Sequence, residues 1–163
     1  MVYSLTHYQL TIQIPDSMKQ YLSEDIKNKG LIIGGSGSYL ESIEISQSTD
    51  TWTVKGDATG SYIHTMNADR TGEVTVNISQ LSEASNILRN LNNTYFNKIE
   101  NTKSGFINLD AFPLITLTNI KSNKVIAECK DCFIKKAVNK SITAEAGNES
   151  WIFTCGEITI KGN

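Results

Sequence analysis

Residues 42–79 read SIEISQSTDTWTVKGDATGSYIHTMNADRTGEVTVNIS, and the architecture of the chain turns on them. Ile43 and Ile45 alternate with Ser42, Glu44 and Ser46. Trp52 and Val54 alternate with Thr51, Thr53 and Lys55, and Val74, Val76 and Ile78 alternate with Glu73, Thr75, Asn77 and Ser79. A period of two puts successive side chains on opposite faces of a strand, so each run has one apolar and one polar face. Gly56-Asp57, Thr59-Gly60 and the run Asn67-Ala68-Asp69-Arg70-Thr71-Gly72 carry turn chemistry. The stretch therefore predicts long antiparallel strands, half-buried along one face. Trp52 and Tyr62, like Trp151 further on, fall on the apolar parity and are expected to face the core.

Outward from this segment the alternation continues. Leu10, Ile12 and Ile14 sit two apart before Pro15-Asp16, and Leu31-Ile32-Ile33 runs into a glycine-rich turn at Gly34 to Ser38. Phe112 to Ile120, Lys124 to Lys136 and the run Trp151, Phe153, Cys155 predict further strands, with Gly156 marking a bulge. One helix is predicted, over about residues 83–100. Ser82 supplies its N-cap and Glu83 suits its dipole. Ala84, Ile87, Leu88, Leu91, Tyr95 and Ile99 share one face, and the opposite face is asparagine-rich and solvated. Asp16 to Gly30 is charged, with Met18, Leu22 and Ile26 on one side of a short helix if one forms.

The length of 163 residues suits one domain over 1–163, with 16–30 as an insertion or loop. A net charge of -2 argues against binding nucleic acid by phosphate neutralisation, and against a polybasic membrane patch. No run approaches the length of a membrane-spanning helix, and the N-terminus lacks the basic-then-apolar order of a signal peptide. Three cysteines, an odd number, make a disulfide framework a poor fit, so folding in a reducing cytoplasm is expected.

Reactive chemistry finds little purchase. Cys129-Lys130-Asp131-Cys132 is a C-x-x-C, but it lies in a strand pattern, where residues three apart point to opposite faces. Cys155 could add a third sulfur, yet no second pair or nearby His completes a zinc set, so the thiols read as core or surface packing. His7 and His64 lack the spacing of a metal-binding helix pair. Gly34 to Ser38 is neither a phosphate loop nor a dinucleotide fingerprint. No nucleophile, base and oxyanion donor assemble, and neither an enzyme nor a cofactor is expected.

The order of elements nonetheless resembles a known family. Thr51-Trp52-Thr53 and Gly56-Asp57 in a long hairpin are followed by Asp69-Arg70-Thr71-Gly72 before a strand. A helix opens at Gln80-Leu81-Ser82-Glu83-Ala84, and the chain closes with Cys132-Phe133-Ile134-Lys135-Lys136 and Glu149-Ser150-Trp151-Ile152-Phe153-Thr154-Cys155. From about Glu41 to Ile160 this is similar to the tail tube proteins of contractile-tailed phages and defective prophages. Residues 16–30, and the loop after Lys136, depart from the family pattern. The resemblance implies a mainly β, antiparallel β-sandwich or partly open barrel with one flanking helix. It also implies hexameric rings stacked into a tube inside a contractile sheath, with baseplate and tail terminator proteins at the ends. The type VI secretion tube is similar in architecture.

If the chain lines such a tube, its polar parity offers a lumen surface: Ser42, Glu44, Ser46, Thr51, Thr53, Lys55, Glu73, Thr75 and Asn77. Hydroxyls with mixed charge would let DNA or an effector pass without the cumulative attraction of a basic wall. Two other readings stay open: a tail terminator or baseplate tube initiator, and a β-sandwich binding module with exposed aromatics.

Overall fold

The computed structural model describes residues 4–14, 16, 24, 30–35, 40–101 and 113–162. The charged segment at 17–23 and 25–29, with its candidate helix, lies outside the described residues, as does Phe112. Among the described residues nine strands and one long helix follow along the chain. They are β1 (Tyr8–Gln13), β2 (Leu31–Gly34), β3 (Leu40–Gln47), β4 (Trp52–Gly56), β5 (Tyr62–Met66), β6 (Gly72–Ser79), α1 (Glu83–Asn101), β7 (Leu114–Asn119), β8 (Lys124–Ile134) and β9 (Asn148–Ile160).

Seven strands form one antiparallel sheet in the order β2-β1-β7-β8-β9-β6-β3, and β4 and β5 form a separate two-stranded ribbon. The outermost strands of the large sheet, β2 and β3, are consecutive in sequence. Laid flat, they would stand about 29 Å apart at about 4.8 Å per strand. The link from Gly34 to Leu40 spans at most about 22 Å when fully extended. The sheet must therefore curl. Accordingly Leu40 Cδ2 lies 3.3 Å from where a Cβ on Gly34 would sit. Of the two arrangements expected, sandwich or partly open barrel, the chain takes the second, a half-barrel.

The concave side holds the core. Leu10, Ile12, Ile33, Ile115, Val74, Val76, Ile78, Trp151 and Phe153 are buried there. Strand β6 shows the expected alternation without a break, buried at every second residue. Its partners across β9 place Val76 opposite Trp151 and Val74 opposite Phe153. Trp151 and Phe153 are the largest fully buried side chains among the described residues.

Helix α1 docks on the same core. The Ser82 hydroxyl accepts from the Ala84 amide at 3.3 Å, which caps its first turn as expected. Ala84, Leu88 and Leu91 are buried and Ile87 is partly so, while Asn86, Asn90 and Asn93 face solvent. The side chains of Tyr95 and Ile99 lie outside the described residues. One face holds a surprise. Ser85 and Asn92 are buried polar residues beside the apolar stripe.

Ser85 and its neighbours tie the helix to the sheet. The Ser85 hydroxyl donates to Glu149 Oε2 and accepts from Trp151 Nε1 at 3.2 Å. Arg89 reaches Glu149 Oε1 at 2.7 Å and the Val138 carbonyl at 2.7 Å, and its guanidinium lies 5.4 Å from the Trp151 ring centroid. Lys140 adds a second cation 3.7 Å from Glu149. Burial alone would raise the Glu149 carboxyl, but the Ser85 hydroxyl, Arg89 and Lys140 outweigh it and hold it below the usual range.

Candidate assembly surface

Chain order makes β3, β4, β5 and β6 one long hairpin, since β3 pairs with β6 and β4 with β5. Its lower half belongs to the sheet and its upper half stands clear. The two halves are out of register by one residue. In the lower half Ser42 pairs with Asn77 and Gln47 with Gly72, and the Ser48 amide continues that ladder to the Thr71 carbonyl. In the upper half the Asn67 amide bonds the Thr51 carbonyl, and Trp52 pairs with Met66. Residues 49–50 on one side thus face 68–70 on the other, one residue more. A one-residue slip exchanges the faces of a strand. This slip is why polar residues occupy even positions in β3 and odd positions in β4.

The sequence motif Asp69-Arg70-Thr71-Gly72 builds this junction. The Asp69 carboxylate accepts from the Thr71 amide at 2.9 Å and from the Thr49 hydroxyl at 3.3 Å. The bond from the Thr71 amide, then the Thr71 hydroxyl, hold the Asp69 carboxyl below its ordinary value. The Arg70 carbonyl accepts from the Ile158 amide at 2.9 Å, and its side chain lies 3.9 Å from Glu157. Gly72 is required by space: a Cβ there would sit 2.2 Å from the Ser46 carbonyl oxygen and 2.4 Å from Ile158 Cδ1. Gly56-Asp57 builds the tip in the same manner. The Asp57 carboxylate accepts from the Thr59 hydroxyl at 2.6 Å and from the amides of Thr59 and Ser61 at 2.9 and 3.0 Å. These bonds, the Thr59 hydroxyl foremost, lower its pKa. Gly60 closes the turn with φ +85°, a conformation that favours glycine.

On the lower half, Ser42, Glu44 and Ser46 stand opposite Asn77, Thr75 and Glu73 on one face, while Ile43 and Ile45 stand opposite Val76 and Val74 on the core side. Asn77 Nδ2 donates to the Ser42 hydroxyl at 2.7 Å. On the upper half, Thr51, Thr53 and Lys55 share the other parity from Trp52 and Val54. The nine polar residues read from the sequence therefore divide, six on the sheet and three on the ribbon.

The aromatics depart from expectation. Trp151 is fully buried, but Trp52 is 59% exposed and Tyr62 68% exposed. Val54 and Met66 are 63% and 58% exposed. Cross-strand pairing puts Trp52 beside Met66 and Val54 beside His64, with Tyr62 packed edge-on to His64 at 5.4 Å. One face of the ribbon is thus apolar and aromatic, and nothing among the described residues covers it. The parity is the one expected of core residues. The core simply ends before the ribbon does.

Edges are open as well. Among the described residues β3 pairs only with β6, so the outer side of β3 has no partner strand. The ribbon β4–β5 has two such sides. Among the described residues no cluster of His, Cys, Asp and Glu could hold a metal ion, and no helix is long and apolar enough to cross a membrane.

Among the described residues, a curled sheet with one docked helix carries a projecting amphipathic ribbon, and its exposed features are backbone edges and an apolar face. Residues 29–162 match the family model of the bacteriophage PhiTE tail tube protein, and the chain belongs to that phage tail tube family. It is thus a structural, tail-tube-associated component of a tail particle. No curated protein sequence matches it. Among solved structures it is similar to the tube-terminating cap of the anti-feeding prophage, at 10% identity over 100% of this chain and 94% of that one, with a TM-score of 0.47. It is also similar to a chain of the PVC sheath/tube terminator of an extracellular contractile injection system, at 10% identity over 99% of each chain and a TM-score of 0.46. A chain of the PVC sheath-tube complex gives 9% identity over 99% and 93%, with a TM-score of 0.49. The family assignment rests on the sequence match alone.

Proposed function

We propose that copies of this chain complete one another's hairpins, closing into rings that stack as the inner tube of a contractile tail. The observation that carries this reading is the β4–β5 ribbon, whose apolar face (Trp52, Val54, Tyr62, Met66) is exposed and whose backbone edges are open. An isolated two-stranded ribbon is marginal in water. Exposed strand edges are an aggregation hazard unless something pairs with them. A neighbouring copy supplies both missing elements, strand partners and apolar cover, at every position of a closed ring. Six copies per ring is the number the family resemblance implies.

In this reading the polar parity of the hairpin faces the lumen. Lys55 is the one cation among the nine lining residues, and Lys135 beside them is engaged with Glu73. A wall of hydroxyls and paired charges offers passing DNA or an effector few free cations. The tail sheath would surround the tube, with baseplate and tail terminator proteins at its ends and assembly in the host cytoplasm.

Negative-stain microscopy of the concentrated protein tests the reading. Hollow tubes or stacked rings are expected. Single rings that never elongate would instead identify a terminator or baseplate initiator, and monomers under all assembly conditions would overturn both. Cysteine labelling of assembled tubes then fixes the parity. A T53C side chain should react with a reagent that enters the lumen and a W52C side chain should be shielded, and the reverse pattern would invert the lining.

A further inference from the structure

Cys155 meets the Cys129/Cys132 pair in the core, 23 residues on from Cys132. Cys129, Cys132 and Cys155 are all buried. The expectation that Cys129 and Cys132 point to opposite faces is not met, and the reason is local. Asp131 takes φ +55°, so Lys130 and Asp131 both face outward and the alternation of β8 slips by one. Strand β9 makes the same double step at Gly156-Glu157, directly across from them. A Cβ on Gly156 would lie 3.3 Å from Asp131 Cβ, so glycine makes room for the kink. Cys132 and Cys155 then become register partners, with their sulfurs 2.8 Å apart.

The hydrogen bonding of β8 shows what kind of pair this is. The Cys132 amide donates to the Pro113 carbonyl at 3.1 Å, on the side away from β9. Three residues on, the Lys135 amide points the other way, to the Ile152 carbonyl of β9 at 2.8 Å. Cys132 and Cys155 therefore form a non-hydrogen-bonded pair, in which facing Cα atoms approach to about 4.5 Å. That lies within the range of about 4.4–6.8 Å that disulfides span.

We propose that Cys132 and Cys155 form a latent cross-strand disulfide, open when the protein is made under reducing conditions and closed when the folded protein meets a low-molecular-weight disulfide. The thiolate of one cysteine attacks the external disulfide and releases one small thiol. The second cysteine then attacks the mixed disulfide, the Cys132–Cys155 S–S bond forms, and the second small thiol leaves. The two protons of the protein thiols end on the two released thiols, and two electrons pass to the external disulfide. Cys132 and Cys155 are 0% and 4% exposed, so the reagent reaches them through local opening of the fold. Attack by Cys155 is slow at neutral pH, because that thiol is held protonated. For Cys155 the bond with Cys129 pulls the pKa down, but the bond with Cys132 and burial outweigh it and push it up to about 12. The bond with Cys155, then burial, push the Cys129 thiol up as well. This inference does not depend on the tube reading.

Trypsin separates the three thiols, since Cys129 falls in residues 125–130, Cys132 in 131–135 and Cys155 in 141–161. The test is incubation of the native protein with oxidised glutathione at mildly alkaline pH, and refolding in a glutathione redox buffer. Maleimide trapping and non-reducing peptide mass mapping then follow. Expected is the loss of two hydrogens, a cross-link joining 131–135 to 141–161, and an alkylated Cys129. C129S should retain the cross-link. The melting midpoint of the oxidised protein should rise by about 5–15 °C. Three alkylated thiols after both treatments, a cross-link through 125–130, or a lowered melting midpoint would each overturn the proposal.

Discussion

Strands β6 and β4 carry the same sequence grammar and meet different fates. Both alternate apolar with hydroxyl or charged residues. In β6 every second residue is buried, whereas every residue of β4 is exposed. The difference lies in what surrounds them. Strand β6 sits between β3 and β9, while among the described residues β4 has only β5 beside it. Alternation reports which side of a strand is apolar. Whether anything lies against that side is decided by the rest of the chain or, as we propose for β4, by another chain.

Breaking the sheet body should cost most. Trp151→Ala removes the largest core side chain together with the indole bond to Ser85, and is expected to lower stability by about 3–5 kcal/mol in denaturant unfolding. Next is the anchor between helix and sheet. Glu149→Ala strands Arg89 and Ser85 without their partner and should cost about 2–4 kcal/mol by the same measurement. Gly72→Ala drives a methyl into the Ser46 carbonyl and should cost at least about 2 kcal/mol.

Acid attacks the same anchor. The Glu149 carboxyl is lowered in the folded protein, so the folded state binds that proton more weakly than the unfolded chain does. Its contribution is whole above the ordinary glutamate value and is lost as pH falls through the folded value. Asp57 and Asp69 act in the same direction. Stability should fall with acidification, and Glu149→Gln should flatten that fall.

The smallest effect on the monomer should come from the ribbon. The double change Trp52→Ser with Tyr62→Ser should alter unfolding stability by less than about 0.5 kcal/mol, as expected of exposed positions. It should abolish tubes seen by microscopy. A subunit that stays folded and loses only its assembly would separate the two halves of the hairpin cleanly.

Much of the body was legible from the sequence, for identifiable reasons. The stripe of Ala84, Leu88 and Leu91 and the parity of Val74, Val76 and Ile78 are local periodicities, and both elements form where they were expected. The curl was implied only by the family resemblance, as one of two arrangements, because it follows from strand order and from the short link after Gly34. The buried network of Glu149, Arg89 and Ser85 joins residues some 60 positions apart, and a polar run gives no hint of its partner. The convergence of the cysteines did leave a trace. Two adjacent charges, Lys130-Asp131, interrupt an alternating strand, which is the mark of a face change. For the candidate surface, the motif residues at Asp57, Asp69 and Gly72 were visible as turn chemistry. Their role in building the junction and tip of one hairpin needed the register, with its single-residue slip.

Hydrogen exchange of the free subunit and of the assembled particle compares the two regions directly. Amides of β6 and β9 should be protected in both states. Those of Trp52 to Gly56 and Tyr62 to Met66 should exchange rapidly in the subunit and become slow once neighbouring copies pair with them. Ribbon amides that exchange equally fast in both states would contradict the claim that the hairpin is completed by a second copy.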